Sequence, residues 1–410
     1  MASAPCERCR EIARTRARRE AGKGVADFER PRLNSSGDTS LPQPKRLAAS
    51  RRRRLRYAKS EVRRVSVVQR KMSRATYCLR RSIMILLTVE TLIVHPAAAE
   101  NGSVSALDWY AAYARDSRLV RLEDGRSLNL YCVGTGSPTV ILESGISESA
   151  YSWRLVQWKI GNLTRVCAYD RAGLGRSSPG PLPRDTRAEV ADLEELLALA
   201  KLKPPYVLVG HSMAGYNVRV FASRHLRDVV GIVLVDPSIE NQVPMFEAVA
   251  PAIAENDKRQ LQGIRACADS ARTERVAAAC RRSAPQGFPP ELAAMFEAAF
   301  GLTYFQTVLS EAESFLQFDS QEVAVESHFL GATPLIVLTR GALSSDLPRD
   351  QASAEWKLWN DLHGKLAELS TDGSNRVVLD SGHYIQIDKP EAVIGAVTEV
   401  VTSARNNQRP

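Results

Sequence analysis

The sequence predicts an α/β protein: a mainly parallel, eight-stranded sheet with helices on both faces and a helical cap inserted late in the chain. Three observations predict it. Short, near-continuous apolar runs alternate with segments of helical periodicity, the pattern of strands buried on both faces. The first two runs flank the turn Asp124-Gly125, which marks an antiparallel hairpin at one edge. Residues 238–332 break the alternation, being Ala-rich and helical without strong strand signals.

In chain order, Arg118 to Leu122 and Ser127 to Val133 read as the hairpin, and Thr139 to Glu143 and Thr164 to Tyr169 as the next strands. Between those last two, Trp153, Leu155, Val156, Trp158 and Ile160 recur at roughly helical spacing. Thr186 to Leu202 is an amphipathic helix with Val190, Leu193, Leu196, Leu197 and Leu199 on its inner face. Tyr206 to Val209 is a buried strand and the residues from Met213 onward a helix. Val229 to Val235, Leu335 to Leu338 and Val377 to Leu379 complete the strands, and Pro390 to Ser403 is a closing helix. The expected organisation is a core of residues 105–237 and 333–405, with residues 238–332 as the cap over the carboxyl ends of the strands, where such sheets bind ligands.

The chain has 410 residues and a formal charge of +9, but that charge is unevenly placed. Residues 1–81 hold 24 of the 55 Lys+Arg and 7 of the 46 Asp+Glu, so the remainder is acidic. A nucleic-acid partner is therefore not expected for the folded part. Residues 1–71, centred on Arg51 to Arg54, are poor in aromatics and lack apolar periodicity, so they are expected to be a disordered leader. Cys6 and Cys9 have metal-ligand spacing, but no second pair follows. From Met72 a basic start, the mostly apolar run Ser82 to Val94 and an Ala-x-Ala-like site ending at Ala99 together read as a secretory signal peptide, residues 72–99. Translation is then expected to start at Met72, with a secreted or periplasmic product, or a membrane-anchored one if the signal stays uncleaved. The run is too short for an ordinary membrane span. After Ala99, Cys132, Cys167, Cys267 and Cys280 remain, an even number suited to the disulfides Cys132–Cys167 and Cys267–Cys280.

The chemistry centres on Gly210-His-Ser-Met-Ala-Gly215. Ser212 falls between a strand and a helix, at a sharp elbow that pushes its hydroxyl outward and tolerates only small neighbours. Ala214 stands where such an elbow usually has Gly, with Gly215 directly after. A serine hydroxyl needs a base. Of the six histidines, His95 lies in the signal-like segment, His211 packs inside the elbow, and His225, His328 and His363 lie in helical or cap contexts. His383 sits in a loop just past the last strand, beside Gly382, and is the expected base. Its imidazole needs a carboxylate, and two qualify. Asp236 directly ends a strand, while Asp346 follows the longer, less regular loop 340–345. Both remain open, with a slight preference for Asp236. The oxyanion donors are expected to be the N–H groups of Met213 and of Ile146, the latter in the turn Ser144-Gly145-Ile146.

These motifs, with Tyr169-Asp-Arg-Ala-Gly-Leu-Gly-Arg-Ser177 and Gly382-His383 followed by Pro390-Glu391, make the chain resemble the α/β-hydrolase superfamily over roughly residues 105–405. The resemblance implies a structural role for the Asp170 loop and an acid after either of the two strands considered. Where the family usually has His-Gly at the oxyanion turn, this chain has Ser144-Gly145. A serine nucleophile separates it from the aspartate-dependent haloalkane dehalogenases and epoxide hydrolases that resemble this fold.

The expected function is a serine hydrolase acting on a small ester, or secondarily an amide; the alternative is a non-catalytic ligand-binding protein on the same fold. No metal is implied, since neither His-x-His nor His-Glu-x-x-His occurs, and no cofactor, since Gly134-x-Gly136 opens no helix. The cap aromatics Phe296, Phe300, Tyr304, Phe305 and Phe315 are candidates for an apolar pocket lining.

Overall fold

A computed structural model describes residues 105–273 and 276–407. The segments 1–71 and 72–99, with Cys6, Cys9 and His95, lie outside the described residues.

Helix α1 (Ala106–Asp116) starts at Ser105, whose hydroxyl accepts the Asp108 N–H at 3.0 Å. It leads into β1 (Arg118–Arg121), β2 (Ser127–Val133) and β3 (Thr139–Glu143). A single 3-10 turn at Ala150–Trp153 and the short helix α2 (Gln157–Gly161) then replace the one helix that the spacing suggests, before β4 (Val166–Tyr169). Next come α3 (Thr186–Leu199), β5 (Tyr206–His211), α4 (Ala214–Arg224) and β6 (Val229–Val235).

With β7 (Leu335–Arg340) and β8 (Gly373–Val378), the eight strands among the described residues lie in the order β1-β2-β4-β3-β5-β6-β7-β8, antiparallel at β1–β2 and β2–β4 and parallel from there on. Alternate strand residues serve opposite faces. Ile141, Leu208, Ile232 and Leu234 pack with α3 and α4, while Val140, Leu142, Val207, Val209 and Val233 pack with Trp109, Trp153, Val397 and Val400. With both faces buried, the central strands β3, β4 and β5 leave no room for a polar alternation, which is why their runs read as continuously apolar.

Among the described residues, five α-helices separate β6 from β7: α5 (Gln242–Val249), α6 (Ala252–Ala271), α7 (Pro290–Ala298), α8 (Leu302–Ser314) and α9 (Ser320–Glu326). They carry a small core of their own, in which Ala268, Ala271, Tyr304, Phe305 and Val308 meet Leu174 of the sheet domain. The chain ends with β7 (Leu335–Arg340), α10 (Arg349–Ala367), β8 (Gly373–Val378), α11 (Ile385–Asp388) and α12 (Pro390–Asn407). β8 starts earlier than the apolar residues Val377 to Leu379 suggest. It is an edge strand with little buried surface, and Leu379 lies beyond it, 72% exposed.

Both cysteine pairs are disulfides. Cys132–Cys167 joins directly opposed residues of β2 and β4, with Cα atoms 4.0 Å apart. Cys267–Cys280 ties the last turns of α6 to the segment that follows, at a Cα separation of 5.6 Å. Among the described residues, no single helix is long and apolar enough to cross a membrane.

Candidate active site

Ser212 follows β5 directly with φ of +55°, a left-handed conformation that costs a non-glycine residue roughly 1–3 kcal/mol. The surroundings hold it there. Its N–H donates to the Val235 carbonyl at 3.1 Å, and its carbonyl accepts the N–H groups of Gly215 at 2.9 Å and Ser238 at 3.0 Å. The crowding falls on Gly215, where a Cβ would sit 2.6 Å from Cβ of Pro237. Ala214 is fully buried as the first residue of α4. The elbow therefore needs its glycine one position later than the usual spacing, and alanine fits the position before it.

His383 stands in the loop between β8 and α11, with Nε2 2.9 Å from Ser212 Oγ and Nδ1 2.6 Å from Asp236 Oδ2. Asp236 follows β6, also left-handed at φ +43°, and is wholly buried. Its Oδ2 also accepts from the Arg340 guanidinium at 3.0 Å, and its Oδ1 accepts the Arg340 N–H at 2.9 Å and Trp359 Nε1 at 2.7 Å. Burial by itself would raise the pKa of this carboxyl. The hydrogen bond from His383 and the charge of Arg340 outweigh it and hold the group well below the usual carboxylate range. Arg340 in turn pairs with Glu355 and stacks over the Trp359 ring at 4.8 Å.

Asp346 does not reach this histidine. β7 continues to Arg340, so the end of the strand beside Asp236 carries a cation, and Asp346 lies farther along the exposed loop, 3.2 Å from the Ser345 hydroxyl. It borders a cavity of about 440 Å³ that His383 also touches, without contact between the two side chains.

The turn Ser144 to Ser147 is held from several sides. Gly145 N–H donates to Glu148 Oε2 at 3.0 Å, and Ser147 N–H to Glu311 Oε2 at 2.8 Å. Arg171 donates to the carbonyls of Ser144 and, at 2.8 Å, Gly145. Tyr304 donates to the Ser147 carbonyl at 3.2 Å. Among the described residues, the N–H groups of Ile146 and Met213 enter no hydrogen bond, and both residues border the cavity that holds Ser212.

His211, expected only to pack inside the elbow, has both ring nitrogens facing acceptors: Glu148 Oε2 at 3.2 Å and the His383 carbonyl at 3.0 Å. Burial would lower its pKa, but the Glu148 carboxylate outweighs this and raises it. Reciprocally, Glu148 is brought down to about 2: burial pushes up, and the charge of His211 wins. This buried pair links the turn of Gly145 to the loop of His383. It also explains Gly145, where a Cβ would come 2.9 Å from His211 Nδ1. Sequence reading missed Glu148, Arg171, Glu311 and Arg340. Arg171 stands inside the quoted Asp170 motif, but Glu311 lies 140 residues away with no local signal. Asp170 itself is a buried hub, accepting from Tyr113, Asn129, Ala150 and Arg176.

A cavity of about 700 Å³ opens over Ser212 and His383, with Tyr304, Phe305 and Phe315 on its cap side; Phe296 and Phe300 border a separate cavity of about 280 Å³. Among the described residues, no three or more His, Cys, Asp or Glu are grouped to hold a metal ion. The arrangement can deprotonate a serine hydroxyl onto an imidazole backed by an ionised, buried carboxylate.

The model of the alpha/beta hydrolase family matches residues 140–396. The "Uncharacterized protein YqjL" of Bacillus subtilis (strain 168) is 23% identical over 277 residues, 68% of this chain and 88% of that protein. Other likenesses are partial: "Probable transporter efuK" of Hormonema carpetanum is 35% identical over 120 residues, 28% of this chain but 17% of its own length. Among solved structures, DBJA superposes with a TM-score of 0.55 at 15% identity, covering 72% of this chain and 99% of that one, a likeness of fold alone.

Proposed function

The chain belongs to the alpha/beta hydrolase family, and from that premise we propose that it is a secreted or periplasmic serine hydrolase of carboxylic esters, with amides as a secondary class. One observation carries the reading: the unbroken hydrogen-bonded chain from Ser212 Oγ through the His383 ring to Asp236.

In this mechanism Ser212 Oγ attacks the ester carbonyl while His383 Nε2 takes its proton. Asp236 holds the Nδ1–H tautomer and offsets the imidazolium charge. The N–H groups of Met213 and Ile146 receive the oxyanion. Collapse returns the proton from Nε2 to the leaving alkoxide and leaves an acyl-serine. Water, deprotonated by the same imidazole, then releases the acid and restores the serine. The left-handed Ser212 keeps Oγ in place for both steps. Two disulfides favour an oxidising compartment, which supports export.

The test is covalent. A fluorophosphonate probe is expected to label the wild type and not a Ser212→Ala variant, whose ester turnover falls by about 10,000-fold or more with its circular dichroism unchanged. Equal labelling of both proteins, or a folded wild type that stays unlabelled, sinks the reading. N-terminal sequencing of the exported protein tests the location, which is lost if residues before Met72 are found.

A further inference from the structure

We propose that the cavity reads a negative charge on its substrate: Arg282, with Arg281 beside it, forms a carboxylate subsite, so the preferred esters carry a carboxylate a few bonds from the scissile carbonyl. This deepens the serine-hydrolase reading and rests on it.

Both arginines border the cavity that contains Ser212 and His383. They directly follow Cys280, so the Cys267–Cys280 disulfide fixes where the backbone presents them. Arg281 is further anchored by its Nε, which donates to the Val276 carbonyl at 3.1 Å and leaves its terminal nitrogens uncommitted. Arg282 has no hydrogen bond or ion pair with a protein group among the described residues. It is exposed at the border of the cavity, whereas Arg126, Arg171, Arg184, Arg219 and Arg340 are largely buried and each bonds a carboxylate. An unpaired guanidinium facing a cavity offers a planar fork of donors that matches a carboxylate in two parallel hydrogen bonds.

Tyr304 and Tyr384 border the same cavity; burial raises both phenols, and the Arg282 charge opposes that rise. Tyr384 follows His383, with ring centroids 5.5 Å apart, and Tyr304 donates to Ser147 in the oxyanion turn. Asp257, with Gln242, Gln260, Trp359 and His383, borders both this cavity and the one of about 440 Å³. Two guanidinium groups on the border of the cavity that holds Ser212 favour an ester that carries a carboxylate over a neutral one of similar length.

The test compares two esters of similar length, p-nitrophenyl butyrate and the mono-p-nitrophenyl ester of succinate. The wild type is expected to prefer the anionic ester in kcat/KM by about tenfold at low ionic strength, with the preference shrinking in salt. Arg282→Gln should abolish that preference while leaving the neutral ester within about twofold of wild type, and Arg282→Lys should restore part of it. Arg281→Gln should give a smaller loss of the same kind. A wild type that is labelled at Ser212 and hydrolyses the neutral ester without preference overturns the subsite alone. So does an Arg282→Gln variant that slows both esters alike. If the probe does not label Ser212 and neither ester is cleaved, the hydrolase reading fails and takes the subsite with it.

Discussion

The sheet domain and the helical insert serve the site in different ways. The sheet places the reactive groups at the ends of its own elements: Ser212 after β5, Asp236 after β6 and His383 in the loop after β8. Two of the three are held left-handed by backbone hydrogen bonds to neighbouring strands, so their side chains have little freedom to move. The insert sends in side chains. Glu311 and Tyr304 of α8 grip Ser147 by its N–H and its carbonyl, across 164 and 157 residues of sequence. The atoms of the proposed reaction thus rest on local turns of the sheet, while the turn at Ser147 is gripped by the cap in addition to Glu148 and Arg171 of the sheet domain.

The largest expected effect tests the sheet side. Asp236→Asn keeps the shape of the site, but the amide cannot both accept from His383 Nδ1–H and satisfy Arg340 and Trp359. Ester turnover should fall by about 10,000-fold. Asp346→Asn, in the exposed loop, should stay near wild type. The opposite result, measured by initial rates on one ester, would move the acid to the loop after β7 and break the comparison.

The same residues show what the sequence could and could not disclose. Strands β2, β3 and β6 stand where their apolar runs predict, because burial on both faces leaves no other pattern. Ser212 was legible since its requirements are consecutive: a buried strand, small residues and a helix start. β8 was blurred because an edge strand buries little, and α10 was not read at all. The choice between Asp236 and Asp346 could not be closed from the chain alone. It turns on Arg340 and Trp359, which lie 104 and 123 residues beyond Asp236 and become its partners only when β6, β7 and α10 pack. Glu148 and His211 meet at 3.2 Å across 63 residues, and no spacing rule links them.

A smaller effect concerns the histidines behind the site. His363 is buried, with Nε2 2.9 Å from the Pro237 carbonyl and Nδ1 2.7 Å from the Thr339 hydroxyl. Burial lowers its pKa to about 4, more than the nearby Asp236 charge can raise it. The native state therefore stays unprotonated at this ring while the unfolded chain takes up a proton near pH 6.5. Its contribution is complete above about pH 6.5 and is lost as the pH falls toward 4, by about 3 kcal/mol in all. His211 has the opposite sign: its pKa is raised, so its contribution is full below the unfolded value and fades as the pH climbs through the folded one. Melting temperatures between pH 4 and 7 should fall more steeply on the acid side for wild type than for His363→Asn. Parallel curves would remove His363 as the source.

The smallest effect tests the insert. Glu311 is fully buried, with Oε1 2.9 Å from the Arg171 guanidinium and Oε2 2.8 Å from the Ser147 N–H. Glu311→Gln keeps the volume and leaves Arg171 its second partner, Glu189, at 3.4 Å. It loses one charge-assisted hydrogen bond, because a single amide oxygen cannot serve both Arg171 and Ser147, and its NH2 group would face a donor. Ser147 is itself left-handed at φ +64°, so a weakened grip lets the turn relax and moves the neighbouring Ile146 N–H off the position where an oxyanion would form. The expected outcome is a fall in kcat of about tenfold with KM little changed, since the loss is felt only where charge develops on the substrate oxygen. A purely structural Glu311 would give a lower melting temperature with kcat per folded molecule intact. That result would confine the insert to covering the cavity and leave the chemistry entirely to the sheet.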